Sequence, residues 1–518
     1  MRRELRILLL LALLALAAFL RLYHLGINPL WYTDESNYVS PAWFLAHGQA
    51  RYGAILHPYA TEILAQPFLF FFLNGWVLRL TQPDIFHARL LSALLAIVAI
   101  LPLYLIGTNL SSPRLGILAA LFFTIHHYSI LFTRWGMPYN LSMFFNILAL
   151  LGMVLYLKDQ KTWTLYGAAL FAGLSSISSF FGLVTVFFVI GFALYKRPQA
   201  LWAVIALAVI PFLIFLVWGV SGRGSAFLKD FFALFVQLKS PRHGLTGAAD
   251  VFARAILNMV SHDFVFLFGV IGLFWWGKAG RLVLAYWLVL ILLVLKKQGL
   301  DPSLKYNATT HMFCLYFGLA FFVLRCNELL GNALARWLEG MNRTMPVSPH
   351  LLAAFLVAIP IIAATGRSVR EVATTIHSEY EAVGSVKNIS DALALAQVLN
   401  PQLKPEDFIV APERIYWLFH CRTASLYQTV ARSVGGTTWH WNLTPERFAF
   451  DCSYSKAKFI ILDHTDRTII LHPANPNMDL IPRILSEENW KRVHQIGEYQ
   501  VYLNPRYAQD SATPSSAD

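Results

Sequence analysis

The chain has 518 residues, of which 57% are hydrophobic and only 14% charged, and its mean hydropathy is +0.53. That composition cannot clothe a water-soluble surface, so the bilayer is the solvent to reason from. The net charge of +12 would by itself admit nucleic acid, but residues 1–366 carry 26 Lys/Arg against 12 Asp/Glu while residues 367–518 carry 15 against 17; the basic excess belongs to membrane loops and implies no nucleic-acid partner.

The N-terminus, MRRELRILLLLALLALAAFLRLYHLG, has a basic start and a long Leu/Ala run. No small-residue cleavage site follows and Arg21 continues the run, so it reads as a first membrane helix rather than a secretory signal. Apolar runs of spanning length are predicted at 5–22, 63–80, 89–109, 114–131, 138–157, 162–178, 180–195, 200–220, 263–277, 281–295, 309–324 and 350–366. With Arg2, Arg3 and Arg6 holding the N-terminus inside, the turns at Arg114, Lys158/Lys161, Lys196/Arg197, Lys278/Arg281 and Arg325/Arg336/Arg343 become cytoplasmic only if 63–80 lies along the interface. The expected fold is therefore mostly α: a polytopic bundle of about eleven spanning helices over residues 1–366. Its long outer loops are 23–88, 221–262 and 296–308.

Residues 367–518 change texture. Short β-like runs, DFIVA, KFIILD and YQVYLNP, alternate with turn residues and with the helical stretch SDALALAQVL, which predicts a C-terminal extracytoplasmic α/β domain. The last residues, QDSATPSSAD, have the composition of a disordered tail. Of four cysteines, Cys314 and Cys326 sit in an apolar stretch, whereas Cys421 and Cys452 fall in this outer domain and are the disulfide candidate.

Candidate chemistry begins at Trp31-Tyr32-Thr33-Asp34-Glu35-Ser36-Asn37-Tyr38. Two adjacent carboxylates among aromatics at a membrane surface are costly to desolvate and call for a cation partner or a function, although a solvated acid pair in a loop is as common a meaning. His57-Pro58, Arg89 at a helix start and Thr133-Arg134-Trp135 at a helix end follow, each weak alone; an Arg at a helix end more often snorkels to headgroups than binds substrate. His126 and His127 have no carboxylate or Cys at ligand spacing and read as core or interface residues rather than metal ligands. The 221–262 loop carries Arg223, Lys229, Lys239, Arg242 and His243, as a basic interfacial helix would. Lys296, Lys297 and Lys305, beside Tyr306, break the positive-inside pattern, and an anionic lipid phosphate would explain them.

The ordered series of an Asp-Glu pair in a long first outer loop, His-Pro, then ARLLSALLAIVAILPLYLIG and SSPRLGILAALFF…FTRWGMPYNLSMFF resembles the lipid-linked glycosyltransferases of the GT-C fold. The protein O-mannosyltransferase and aminoarabinose transferase group is the particular likeness, over roughly residues 5–325. The resemblance implies Asp34 as the catalytic carboxylate with Glu35 beside it. It also implies His57 in the His-Pro turn, Arg134 at the outer mouth of the fourth span, and Lys305-Tyr306 as the basic-Tyr pair before a late helix. The family's usual His-Pro-Pro and Arg-Tyr stand here as His57-Pro58-Tyr59 and Lys305-Tyr306.

The expected function is transfer of a monosaccharide from a polyprenyl-phosphate donor to a hydroxyl of a lipid, glycan or protein acceptor, on the non-cytoplasmic face of the plasma (inner) membrane. A sugar phosphodiester carries a good leaving group and needs no general acid, whereas the acceptor hydroxyl needs a base, for which Asp34 is the candidate. Arg134, Lys305 and one of Lys296 or Lys297 would stabilise the charge gathering on phosphate, with Arg89 and His57 also in the donor-binding set, and a single displacement inverts the anomeric centre. The residues establish no cofactor; Asp34-Glu35 alone supplies too few oxygens to argue for a divalent metal, which stays open. The competing readings are a transporter or flippase of lipid-linked sugar, disfavoured by the scarcity of mid-helix charges, and a diphosphate-donor polysaccharide polymerase or ligase.

Overall fold

The computed structural model describes residues 2–46, 68–81, 84–237, 264–298, 308–340, 348–376, 385–386, 389–435, 448, 450–472, 475 and 477–508. His57, Lys305, Tyr306 and the stretch 509–518 lie outside the described residues.

A basic start and an unbroken Leu/Ala run give helix α1 (Arg3–Leu22), followed by the two-residue strand β1 (Trp31–Tyr32) and α2 (Thr33–Ala46). Helix α3 (Leu69–Leu80) replaces the run at 63–80. At 1.5 Å per residue it is about 18 Å long, short of the roughly 30 Å of hydrocarbon a lone span must cover. Asp84 caps α4 (Ile85–Val98) by accepting from His87 N at 2.8 Å, and α5 (Ile100–Leu110) continues it to a combined 26-residue span. Ser112 with Pro113 behind it starts α6 (Pro113–Ile125), which breaks by 62° at His126 into α7 (His127–Arg134). The hairpin of α5 and α6 closes tightly: a Cβ on Gly107 would stand 2.6 Å from Gly116 Cα, so only glycine permits the approach.

Helices α8 (Pro138–Asp159), α9 (Thr162–Ser176), α10 (Leu183–Lys196) and α11 (Leu201–Gln237) follow, then helices Phe264–Trp275, Gly277–Gln298, Thr309–Gly340 and Pro349–Ala373. Each of the eleven expected spans coincides with a helix or helix pair. Six described segments are long and apolar enough to cross singly, seven with the broken α6–α7 pair. One loop expectation needs correction: residues 221–237 continue α11 as helix instead of opening an outer loop. A buried polar knot ties the middle of the bundle. Asn146 accepts from Ser175 and Thr185 hydroxyls, both at 2.7 Å, and donates to Thr310 O at 3.1 Å, while Tyr286 donates to Asn146 O at 3.1 Å. Such bonds join helices where lipid offers no hydrophobic drive.

The C-terminal region forms the expected α/β unit, a five-stranded sheet in the order β4-β3-β5-β7-β6. Here β3 is Phe408–Val410, β4 Arg422–Ala424, β5 Phe459–Leu462, β6 Lys491–Ile496 and β7 Tyr499–Leu503. The strands β3, β4 and β5 run parallel, and β7 is antiparallel to β5 and to β6. Alternation along the strands divides the sheet's faces. Ile409, Phe459, Ile461, Tyr499 and Val501 join one continuous core with the membrane bundle. Phe408, Val410, Ile460 and Leu462 build a separate core on the other face.

That division corrects the disulfide expectation. Cys421 belongs to the first core and Cys452 to the second, and both are free thiols. Cys421 Sγ points to Arg422 O at 3.6 Å and Cys452 Sγ to Gln428 O at 3.8 Å. A disulfide needs Cβ atoms about 3.8 Å apart, and two residues packed on opposite faces of a sheet do not provide it.

Candidate active site

Asp34 and Glu35 both lie in the first turn of α2, where unpaired backbone N–H groups favour negative charge. Their fates differ. Asp34 is half-buried, whereas Glu35 is wholly enclosed and bound to Arg89 through both oxygens, Nε–Oε1 at 2.8 Å and Nη2–Oε2 at 2.6 Å. Gly136 N adds a bond to Oε1 at 2.9 Å and Tyr32 N one to Oε2 at 3.2 Å. A Cβ on Gly136 would sit 2.7 Å from Ala88 O, so that residue must be small for its N–H to reach the carboxylate.

Arg89 spends its remaining N–H groups on main-chain carbonyls: Nη1 on Leu25 O at 3.0 Å and Pro29 O at 2.8 Å, Nη2 on Leu30 O at 3.0 Å. With all five donors engaged and no exposure, it has none for a donor phosphate. Arg134 is placed similarly, giving Nε and Nη2 to Asn28 O at 2.9 and 2.5 Å, Nη1 to Leu20 O at 2.7 Å and Nη2 to Tyr23 O at 2.7 Å. These carbonyls end α1 and begin the loop after it, so Arg134 caps a helix C-terminus. These bonds of Arg89 and Arg134 thus all run to the protein itself, to Glu35 and to main-chain carbonyls. Lys296 and Lys297 fall in the last turn of helix Gly277–Gln298.

Sequence reasoning also missed residues. Arg21, buried in α1, donates to Phe123 O at 3.0 Å and Thr124 O at 3.3 Å, just before the break at His126. Asn28 donates to Glu371 O at 3.0 Å and Val372 O at 2.9 Å and accepts from Ile376 N at 2.9 Å, tying the end of the last apolar helix to the loop before the site. The C-terminal unit reaches the same loop. Strand β1 pairs antiparallel with β2 (Ser385–Val386), Trp31 Nε1 donates to Arg414 O at 2.9 Å, and the Trp31 and Trp417 rings lie 5.4 Å apart. The 3-10 turn Glu413–Leu418 packs against α2. In it Arg414 pairs with Asp463 at 3.1 Å. Beside that pair burial pushes the Glu413 carboxyl up to about 8; Asp34 and Asp463 add to the push and Arg414 and Ser425 oppose it. The signal in the sequence is the charged pair Glu413-Arg414 inside an otherwise apolar and aromatic segment, which a two-sided core would not tolerate without partners.

Among the described residues no group of three or more His, Cys, Asp or Glu could hold a metal ion. Both Glu35 oxygens being taken, the Asp34-Glu35 pair is not a chelate. Asp34 is the half-buried carboxylate of the two, in the first turn of α2 and held between main-chain anchors. A fixed, half-buried carboxylate of this kind can accept a proton or orient a hydroxyl.

Comparison with known proteins agrees with the resemblance read from the sequence. The family model for dolichyl-phosphate-mannose-protein mannosyltransferase matches residues 65–219. No curated protein matches by sequence. The fold is that of ArnT from Cupriavidus metallidurans, solved bound to undecaprenyl phosphate, with a TM-score of 0.61 at 13% identity over 95% of this chain and 97% of that one. The oligosaccharyltransferase of Archaeoglobus fulgidus superposes with a TM-score of 0.55 at 14% identity, covering 99% of this chain and 76% of that one. The mycobacterial arabinofuranosyltransferase AftD gives 0.53 at 14% identity, over 97% of this chain and 40% of that one. The matching family and these neighbours are glycosyltransferases, all membrane proteins of the GT-C fold.

Proposed function

We propose that this protein is an inverting membrane glycosyltransferase that moves a monosaccharide from a polyprenyl-phosphate donor to an acceptor hydroxyl, with Asp34 as the base. The observation that carries the reading is the difference between neighbours: Glu35 is wholly buried and paired with Arg89, whereas Asp34, beside it in the first turn of α2, is half-buried. ArnT, of the same fold over nearly the whole chain, was solved with undecaprenyl phosphate, which supports a lipid phosphate as the donor's carrier.

In this mechanism the acceptor oxygen attacks the anomeric carbon as its proton passes to Asp34, and the bond to the phosphate oxygen breaks with inversion. The released lipid phosphate gathers negative charge, for which Lys296, Lys297 and Lys305 are the proposed partners, with Tyr306 and His57 as further proposed donor-binding residues. Arg89 and Arg134 act at one remove, by fixing the loop that carries Asp34. The site faces the non-cytoplasmic side of the plasma or inner membrane, and the C-terminal unit lies on that side with it. The test is transfer of labelled sugar from a polyprenyl-phosphate sugar in proteoliposomes, with donor binding measured separately. Binding without any transfer to lipid, glycan or peptide hydroxyls would sink the enzymatic reading.

A further inference from the structure

Glu413 has no place in the mechanism above, yet its surroundings set it apart from the other acids of the C-terminal unit. It opens the 3-10 turn Glu413–Leu418, the segment that packs on α2 and receives the Trp31 indole at the next carbonyl. Its Oε1 is enclosed with no hydrogen-bond partner among the described residues, while Ser425 from the neighbouring helix bonds the side chain. Facing it are Asp34 from α2, Arg414 and Tyr416 from its own turn, Tyr427 from helix Leu426–Val434, and Asp463 and Asp466 from the segment after β5. Among the described residues Arg414 is the cation that faces Glu413; it is paired with Asp463 at 3.1 Å, and its pull toward the ionised form of Glu413 is smaller than the opposing effect of burial.

We propose that Glu413 is a positioning residue that the C-terminal unit contributes to the site of Asp34, staying neutral so that Asp34 is the one negative charge presented to an anionic donor. The proposal rests on the glycosyl-transfer reading. Its physical content is charge economy at a site that must admit a phosphodiester and then release a more highly charged phosphate. An ionised Glu413 would add repulsion against the donor from a low-dielectric wall, where screening is weak. The raised carboxyl fits this arrangement: burial, the first cause, disfavours the ionised form, and the charge of Asp34 disfavours it further. The ionised fraction grows as pH rises through about 8, so donor use should weaken on the alkaline side.

The experiment compares the full-length protein with Glu413→Gln, a neutral isostere, from pH 6 to pH 9.5, reading kcat/KM for the polyprenyl-phosphate sugar. Wild type should lose about tenfold for each pH unit above its alkaline midpoint, mostly in KM, while Glu413→Gln has no such limb. Superimposable profiles would overturn the proposal. A second arm needs no activity: infrared spectra of wild type minus Glu413→Gln at pH 7 should show the C=O stretch of a protonated carboxylic acid. A carboxylate band there instead would overturn it equally. If no donor is turned over at all, the transfer reading falls, and the infrared arm still decides whether Glu413 is neutral.

Discussion

Adjacent acids on one helical turn should give opposite phenotypes, and the structure sets the size of each. Glu35 accepts four bonds, two of them from the buried Arg89 guanidinium. Replacing it by Gln keeps the shape but removes the charge opposite a cation with no exposure. Breaking a buried pair from one side costs about 3–5 kcal/mol. Arg89 retains three carbonyl partners, Leu25, Pro29 and Leu30, so the cost should be about 3 kcal/mol, a fall in thermal midpoint of about 3 °C for a chain of this length. Asp34→Asn touches a half-buried side chain and should change stability by no more than about 1 kcal/mol, the worth of a carboxylate at a helix start. If Asp34 takes the acceptor's proton, turnover should fall by about 10² to 10⁴ with donor binding kept.

The assay pairs thermal unfolding in detergent with sugar transfer for the two variants and the parent. The double change Glu35→Gln with Arg89→Met should recover part of the stability lost in Glu35→Gln alone, because it removes the orphaned cation. A Glu35→Gln protein that melts like the parent would refute the buried-pair reasoning. An Asp34→Asn protein that transfers at the parental rate would remove Asp34 from catalysis.

Other outcomes follow from the same geometry. Arg134→Met strips four hydrogen bonds from the end of α1 and the loop after it and should cost about 3–5 kcal/mol, read as a lowered thermal midpoint; an unchanged midpoint would restore a substrate role for Arg134. Trp31→Phe removes the bond to Arg414 O, worth about 1–2 kcal/mol, and should speed release of the C-terminal unit in limited proteolysis, a rate that stays parental only if the clamp is idle. Lys305→Ala should weaken binding of a polyprenyl-phosphate sugar in a direct binding assay more than it weakens folding, and donor affinity equal to the parent's would remove Lys305 from the phosphate site. Alkylation of the unreduced, denatured protein followed by mass spectrometry should find Cys421 and Cys452 both modified, and a linked peptide pair would contradict their placement on opposite faces of the sheet.

The bundle was legible because its signal is local. Each apolar run, from 5–22 to 350–366, states its own length and burial, and the strands at DFIVA, KFIILD and YQVYLNP each carry their own pattern. The site was half legible. The Asp34-Glu35 doublet is visible in the chain, but which acid is spent on structure depends on Arg89, 54 residues away. The surroundings of Arg134 were hidden for a related reason. Its partners are main-chain carbonyls of Leu20, Tyr23 and Asn28, and a carbonyl has no sequence signature. An arginine at a membrane helix end reads from sequence as snorkelling to headgroups, yet here a helix terminus leaves unpaired acceptors, and an arginine satisfies them. The break at His126 repeats the pattern with Arg21, whose targets, Phe123 O and Thr124 O, lie just before it.

These arginines and the C-terminal unit converge on one short stretch of chain. Leu25, Asn28, Pro29 and Leu30 give their carbonyls to Arg89 and Arg134; Trp31 and Tyr32 pair with Val386 and Ser385; and Glu35 closes back on Tyr32 N. Asp34 therefore sits between anchored residues on both sides, and its main chain has little freedom to lose on meeting substrate. A base held in this way needs no reorganisation as the proton moves, which is where a rigid shell contributes to rate. It also explains why a unit far along the sequence shares its core with the bundle: the two-residue ribbon of β1 and β2 is too short to be stable alone, and the packing of the Glu413–Leu418 turn on α2 supplies the burial that holds it in register.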